Sequence, residues 1–398
     1  MLEVIVSKND EGREIALVQN GKLVEIYDES DSETDNKNEG NIYIGVIKDI
    51  LPGMQAAFLD IGTEKNSFIH LKDILPQDDQ KKENPNKKTI TDIKKVVKPN
   101  DILLVQVKKD SNAKKGARVS THLSIAGRLA VLMPNTDIIT ISQKIENEQE
   151  KNRLLEIAKN ILPENIGVVI RTSAYKKTKE EIEKDITLLL EKWKKIKANV
   201  DNCKTVPKLI YKTPGITEKL IIDLIDKKIE KVIFDDKSEY EHIQLMLKEY
   251  GIENQTKLEL NQKSNIFELY EIQKQKEKLN ARKIWLNCGG FITIDQTEAL
   301  TAIDVNTGKY MGTSNLEDTV YKVNYEATIE IAKQLRLRDI GGIIIIDYID
   351  MQKQESKDKI QNLLKQELKN DRAKTQVEGF TKLDLMELTR KHICSHRD

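Results

Sequence analysis

Four consecutive isoleucines, Ile343 to Ile346, stand between Gly341-Gly342 and Asp347. A run this apolar reads as a strand buried on both faces, and it ends at an acid. Upstream, "GGFITIDQTEALTAIDVN" reads as two apolar strands joined at "DQTE" as a hairpin. The second of these ends at Asp304, with Asn306 two residues on and therefore on the same side of an extended chain. Between the two acids, "VNYEATIEIAKQLRLRD" reads as a helix with Tyr325, Ile329, Ala332 and Leu335 on one face, stopped by Gly341 and Gly342. Two neighbouring strands then deliver Asp304 and Asp347 to one edge of a sheet.

A lone acid after a strand is usually a turn or cap residue. Two such acids, each ending an unusually apolar strand, form a carboxylate pair that repels itself unless a cation lies between. Oxygen-only ligation beside an amide suits Mg²⁺. Such an ion neutralises charge developing on a phosphate, which is nuclease chemistry.

The rest of the 398 residues exceeds what one core serves, so two to four structural units are expected. Residues 1–27 alternate around Asn20-Gly21, a hairpin too small to be stable alone. "SDSETDNKNEG" follows as a linker, with a boundary near residue 39. Short strands then run to about Ser120, interrupted by the polar "QDDQKKENPNKKTITDIKKVVKPN", read as an exposed loop. This spacing fits a small OB-type barrel. Phe58 and Phe68 sit in adjoining strands at positions where their apolar neighbours already fill a core, so they read as a base-stacking platform rather than core residues. Lys108, Lys109, Lys114, Lys115 and Arg118 lie beyond as a phosphate track.

Residues 121–205 mix strands with helices, one carrying Ile182, Ile186, Leu189 and Trp193 on a single face. Residues 206–262 alternate "KLIYK", "EKVIFDD" and "TKLEL" with helices, a pattern that joins a sheet. The amino-terminal hairpin is an available partner. "IFELYEIQKQKEKLNARKIWL" reads as one charged amphipathic connector helix. The fold class is therefore α/β and α+β, multidomain.

Lys+Arg and Asp+Glu both total 65, so no net basic field exists and any nucleic-acid site is a local patch. The amino terminus lacks a signal-peptide pattern, and no run of about 18 apolar residues occurs. Cys203, Cys288 and Cys394 form no CxxC pair. A cytoplasmic protein without membrane attachment is expected.

"TEALTAIDVNTG", "EIAKQLRLRDIGGIIIIDYIDM" and "FTKLDLMELTRK", with weaker likeness through "KGARVSTHLSIAGR", resemble the ribonuclease E/G family of bacterial endoribonucleases. The resemblance implies an RNase H-like domain split between residues 1–38 and 206–280, an S1-type OB-fold barrel at 39–120, a 5′-sensor domain at 121–205 and a DNase I-like catalytic domain at 281–398. It implies one catalytic Mg²⁺ per protomer on Asp304 and Asp347, with Asn306 orienting the carboxylate or the scissile phosphate. It implies hydrolysis of single-stranded, A/U-rich messenger and ribosomal precursor RNA to 5′-phosphate and 3′-hydroxyl ends. By the same resemblance Phe58, Phe68 and Lys115 hold RNA, while Gly127, Val131, Arg171 and Thr172 sense a 5′-monophosphate. Gln143 and Lys374 stand where the family usually has Arg, and Lys lacks the bidentate geometry of Arg.

The family's zinc-sharing CPxC motif is not present in "TRKHICSHRD", and His392, Cys394 and His396 fit no common zinc spacing. Either the sequence is truncated before that motif or the protein dimerises without the shared zinc, and a homodimer or dimer of dimers is left open. Two further readings are a non-catalytic RNA-binding protein and a DNA-acting nuclease; DNA is not expected as a partner.

Overall fold

Asn20 and Gly21 both take positive φ, +51° and +75°, which a two-residue hairpin turn requires. They join strand Gly12–Gln19 to Lys22–Ser30. The computed structural model describes residues 1–10, 12–30, 38–74, 92–111, 115–227, 229–262, 265–308 and 316–393. Most of the expected linker, the first part of the expected loop, Lys114, Cys394 and His396 lie outside these. The described chain divides into two units, one made of Met1–Glu29, Ile229–His242 and Thr256–Asp398, the other of Ser30–Lys228 and Ile243–Gln255.

In the first unit the hairpin obtains the partner it lacked. Leu2–Asn9 pairs in parallel with Lys231–Phe234, which pairs in parallel with Lys257–Leu260, giving a five-stranded sheet. Ile5, Ala16, Val18 and Ile233 pack there against Ile266, Phe267 and Ile272. The segment expected as one connector helix is broken. It forms Ile266–Leu269, then Ile272–Lys276, then a 3₁₀ turn at Glu277–Asn280. Glu271 adopts φ +54° between the first two, and that left-handed residue ends the helical run.

A second, six-stranded sheet of this unit has the order Lys283–Trp285, Phe291–Gln296, Thr301–Asn306, Gly342–Asp347, Leu385–Arg390, Thr375–Phe380. The expected hairpin is present, since Phe291–Gln296 and Thr301–Asn306 pair antiparallel. Thr301–Asn306 and Gly342–Asp347 are parallel, which demands a crossover. The helix Leu316–Leu337 provides it. That helix and Gln354–Glu367 bury Ile292, Ile303, Val305, Ile344 and Ile346 on one face of the sheet.

Two expectations fail here for one reason. The isoleucine strand is covered on one face only, and Ile343 is 52% exposed. The crossover helix buries Val323, Ala327, Ile331 and Leu335, whereas Tyr325 and Ile329 are 41% and 37% exposed. With a single helical layer among the described residues, the buried stripe follows the sheet, and Tyr325 and Ile329 lie on the exposed side of the helix.

In the second unit five strands close on themselves: Ile42–Leu51, Ala56–Asp60, Ser67–His70, Arg118–Ser120 and Ile102–Lys109, the last returning to pair with the first. This is the expected OB-like barrel. Its core takes Ile93 and Val97 from the segment expected as exposed loop, because a 3₁₀ turn at Ile93–Lys95 tucks inward. "KLIY" does not join the hairpin sheet; Lys208–Tyr211 pairs with Ile42–Leu51 on the barrel. Beside it lies a four-stranded sheet, Ile139–Ile141, Ile166–Ile170, Ala130–Pro134, Ile125–Ala126. Helices Glu148–Ile161 and Lys179–Asp201 cover it, the latter burying Ile182, Ile186, Leu189 and Trp193 as expected. Among the described residues no helix is long and apolar enough to cross a membrane.

Candidate functional site

Asp304 and Asp347 are Cα partners in the parallel pairing of their strands. Partners in register project to the same face, so both carboxylates leave the uncovered side of the sheet, near the carboxyl ends of two parallel strands. Open α/β sheets bind ligands at those ends. Both acids are exposed. Asn306 shares their face, and its Nδ2 donates to Asp304 Oδ2 at 2.6 Å.

Asp347 titrates above the usual carboxylate range. Partial dehydration raises it, and the charges of Asp304 and Asp350 add to the rise. Asp350 was not singled out from the sequence, although "DYID" spaces it one turn from Asp347. The stretch between them is held from below. Asn324 on the crossover helix donates to the Ile349 carbonyl at 2.8 Å and accepts the Ile349 N–H at 3.1 Å. The Tyr348 hydroxyl meets Thr328 at 2.9 Å in the core. Among the described residues no three His, Cys, Asp or Glu side chains cluster as a metal cage, so the donor set is a carboxylate pair with its amide neighbour.

On the barrel, Phe58 and Phe68 are cross-strand partners. Their rings lie 6.2 Å apart at 70°. Ala57, Leu59, Ser67 and Ile69 alternate inward and are buried, leaving both rings half-buried on the outer face. Phe68 also neighbours Arg118 across the sheet, whose guanidinium is held by Asp73 at 2.8 Å. Lys115 is exposed nearby in sequence. Lys108 is half-buried, and burial pulls its ammonium down to about 8 despite Asp73 and Glu39. Its Nζ donates to Gln106 at 2.7 Å.

Of the four residues of the expected phosphate sensor, Arg171 and Gly127 are in direct contact, whereas Val131 and Thr172 each meet other residues of the adjoining sheet and its loops. Val131 pairs with Ala126 and Val169. Arg171 donates from Nη1 to the Gly127 carbonyl and from Nη2 to Asp223, both at 2.7 Å. Thr172 Oγ1 meets Ser142 Oγ at 2.8 Å. Gly127 has a steric reason to be glycine, since a Cβ there would lie 2.8 Å from Asp185 Oδ2. Asp185 accepts the N–H groups of Arg128, Leu129 and Ala130, which fixes the turn that presents the Gly127 carbonyl. Gln143 and Lys374 are both exposed. Asp223, too, was missed in the sequence, where nothing marks a helical acid as the partner of an arginine 52 residues away.

A family model described as "Ribonuclease E/G family" matches residues 124–393. The chain is 37% identical to ribonuclease G of Salmonella typhimurium (strain SL1344) over 394 residues, 98% of this chain and 79% of that protein. It is 37% identical to ribonuclease G of Escherichia coli (strain K12), again over 98% of this chain and 79% of the relative. Ribonuclease E of Nostoc sp. (strain PCC 7120 / SAG 25.82 / UTEX 2576) is 31% identical over 95% of this chain and 56% of its own length. An acid pair at strand ends, a barrel with paired outer aromatics and similarity along almost the whole chain converge, and the chain belongs to the ribonuclease E/G family of RNA-cleaving endonucleases.

Proposed function

We propose that this chain is a Mg²⁺-dependent endoribonuclease of RNA processing and decay, cutting single-stranded, A/U-rich RNA to 5′-phosphate and 3′-hydroxyl ends and favouring a 5′-monophosphorylated substrate. The observation that carries the reading is the register pairing of Asp304 with Asp347 beside Asn306. The donor set suits a hard divalent cation: it is oxygen-only, reachable from solvent, and under the like-charge repulsion expressed in the raised Asp347 pKa. When bound, the ion supplies Lewis-acid stabilisation of the charge that develops on a phosphodiester under attack.

The chain's own residues do the rest. Asn306 holds one oxygen of Asp304, and Asn324 holds the turn after Asp347, so neither carboxylate has to reorganise during the reaction. Phe58 and Phe68 stack bases, with Lys115 as a phosphate contact, and the Arg171 guanidinium with the Thr172 hydroxyl takes a 5′-phosphate near Gly127 and Val131. On this reading residues 1–38 and 206–280 are the split RNase H-like domain, 39–120 the S1-type barrel, 121–205 the sensor and 281–398 the DNase I-like catalytic domain.

The test is cleavage of a 5′-monophosphorylated A/U-rich oligonucleotide by the 398-residue chain, in Mg²⁺ and in EDTA, beside a DNA of equal sequence. Cutting of RNA alone, in Mg²⁺ alone, is expected. Binding without cutting in either condition would leave the non-catalytic RNA-binding reading instead.

A further inference from the structure

The uncovered face that bears Asp304 also bears an aromatic pair on the neighbouring strands. Trp285 and Phe291 are cross-strand partners, and Phe291 is in turn the partner of Asn306. One row of the sheet therefore reads Trp285, Phe291, Asn306, and the next reads Lys283, Thr293, Asp304, Asp347. The rings of Trp285 and Phe291 lie 5.3 Å apart. Lys283 Nζ sits 4.3 Å from the first ring centre and 3.5 Å from the second. Trp285 is 56% exposed, whereas Trp193, the other tryptophan, is 7% exposed in the core of its own unit.

An indole this exposed loses hydrophobic stabilisation unless something covers it. The strands that carry the pair are held in place. Glu326 of the crossover helix accepts the Cys288 N–H at 2.8 Å, and Leu286 donates to the Gly290 carbonyl across the turn between them. Strand spacing puts Trp285 roughly 12 Å from Asp304, diagonally across the sheet, a span that about three or four stacked nucleotides cover. Every base offers a π-face, and a cation beside the rings suits a polyanion. A second copy of the chain would bury the same rings, and the experiment below distinguishes it from RNA.

Resting on the ribonuclease reading, we propose that Trp285, Phe291 and Lys283 form a second stacking platform, on the catalytic sheet itself, which takes a base a few nucleotides from the scissile phosphate. The rings hold the base and Lys283 holds the adjoining phosphate. The platform fixes where the strand lies across the acid pair.

The experiment titrates a short 5′-monophosphorylated A/U-rich RNA into the full chain in EDTA, reading tryptophan fluorescence, and measures kcat and KM in Mg²⁺. Trp285→Phe leaves Trp193 as the spectroscopic baseline and keeps a stacking ring. RNA is expected to quench the wild type but not Trp285→Phe. Trp285→Ala is expected to raise KM roughly five- to a hundred-fold with kcat little changed, and Trp285→Phe to restore most of it. Cleavage with unquenched fluorescence and a wild-type KM in Trp285→Ala overturns the platform while the ribonuclease reading stands. Quenching without cleavage upholds the platform and sinks the catalytic reading. Fluorescence that follows protein concentration and ignores RNA assigns the rings to a second copy and overturns the proposal.

Discussion

Asp304 and Asp347 face one another across a single parallel strand pair, in register, so neither can be moved without changing the spacing of the other. Replacing either by Asn removes charge but little volume. Asp304→Asn and Asp347→Asn are each expected to lower kcat about a thousandfold, several kcal/mol of lost charge stabilisation, while oligonucleotide binding stays within a few-fold. Single-turnover cleavage beside a filter-binding measurement checks both halves. A variant cutting at the wild-type rate removes that acid from the site.

The raised Asp347 pKa sets a pH signature. Dehydration, Asp304 and Asp350 all push this carboxyl above its ordinary value, so activity should fall on acidification earlier than an unperturbed aspartate, about 3.9, would dictate. Asp350→Asn removes one repelling charge and should move the acid limb of kcat/KM to lower pH. The stability sign runs the other way from a salt bridge. The fold retains the proton more tightly than the unfolded chain, so stability is lost as pH rises through the raised pKa. In EDTA at neutral pH, Asp347→Asn should therefore melt higher than wild type, with the gain vanishing near about pH 4. Thermal melts across that range decide it.

The acid pair was legible in the sequence because strand alternation is local: two apolar strands, each closed by an acid, left one arrangement for Asp304 and Asp347. The outward Phe58 and Phe68 were legible for the same reason. What escaped depends on layers the sequence does not state. Tyr325 and Ile329 lie at helical spacing from Ala332, yet only the neighbouring stripe meets the sheet. Asn324 and Asp223 meet partners 25 and 52 residues away, and no local pattern marks them, whereas Asp350 lay within reach of a reading of "DYID".

Phe58 and Phe68 point away from a core completed by Ala57, Leu59 and Ile69. Phe68→Ala should thus leave the barrel folded and cost affinity. A rise in KM for single-stranded RNA of roughly five- to a hundred-fold is expected, with a melting temperature shifted by no more than a few degrees. An unchanged KM would return the rings to a purely structural role.

Arg171 already spends one terminal nitrogen on Asp223 and the other on the Gly127 carbonyl. A 5′-phosphate must compete with that carboxylate. Arg171→Ala should reduce the cleavage advantage of 5′-monophosphate over 5′-hydroxyl RNA by about tenfold or more, the worth of a charged hydrogen bond. Asp223→Asn should increase it. If both variants keep the wild-type ratio, the sensor lies elsewhere.

Glu25 is fully buried with three partners, Arg336, Arg372 and the Tyr27 hydroxyl. Burial opposes its ionisation, but Arg372, Tyr27 and Arg336 outweigh it and hold its pKa below the usual value. Glu25→Gln strands two guanidinium groups and should cost about 3–5 kcal/mol in chemical denaturation. This contribution is complete above about pH 4.3 and disappears as pH falls through the lowered pKa. A variant as stable as wild type at neutral pH would show the pairs to be inert.

The pairing of Leu2–Asn9 with Lys231–Phe234 has a consequence during synthesis. Ser7 and Asp235, joined by a 2.6 Å hydrogen bond, are 228 residues apart. At ribosomal speeds of about 5–20 residues per second, the first strand waits roughly ten to forty-five seconds for its neighbour to be made. Throughout that interval its apolar outer edge is a template for any other strand. Until Lys231–Phe234 has been made, strand Leu2–Asn9 can be paired on one side only, by Gly12–Gln19.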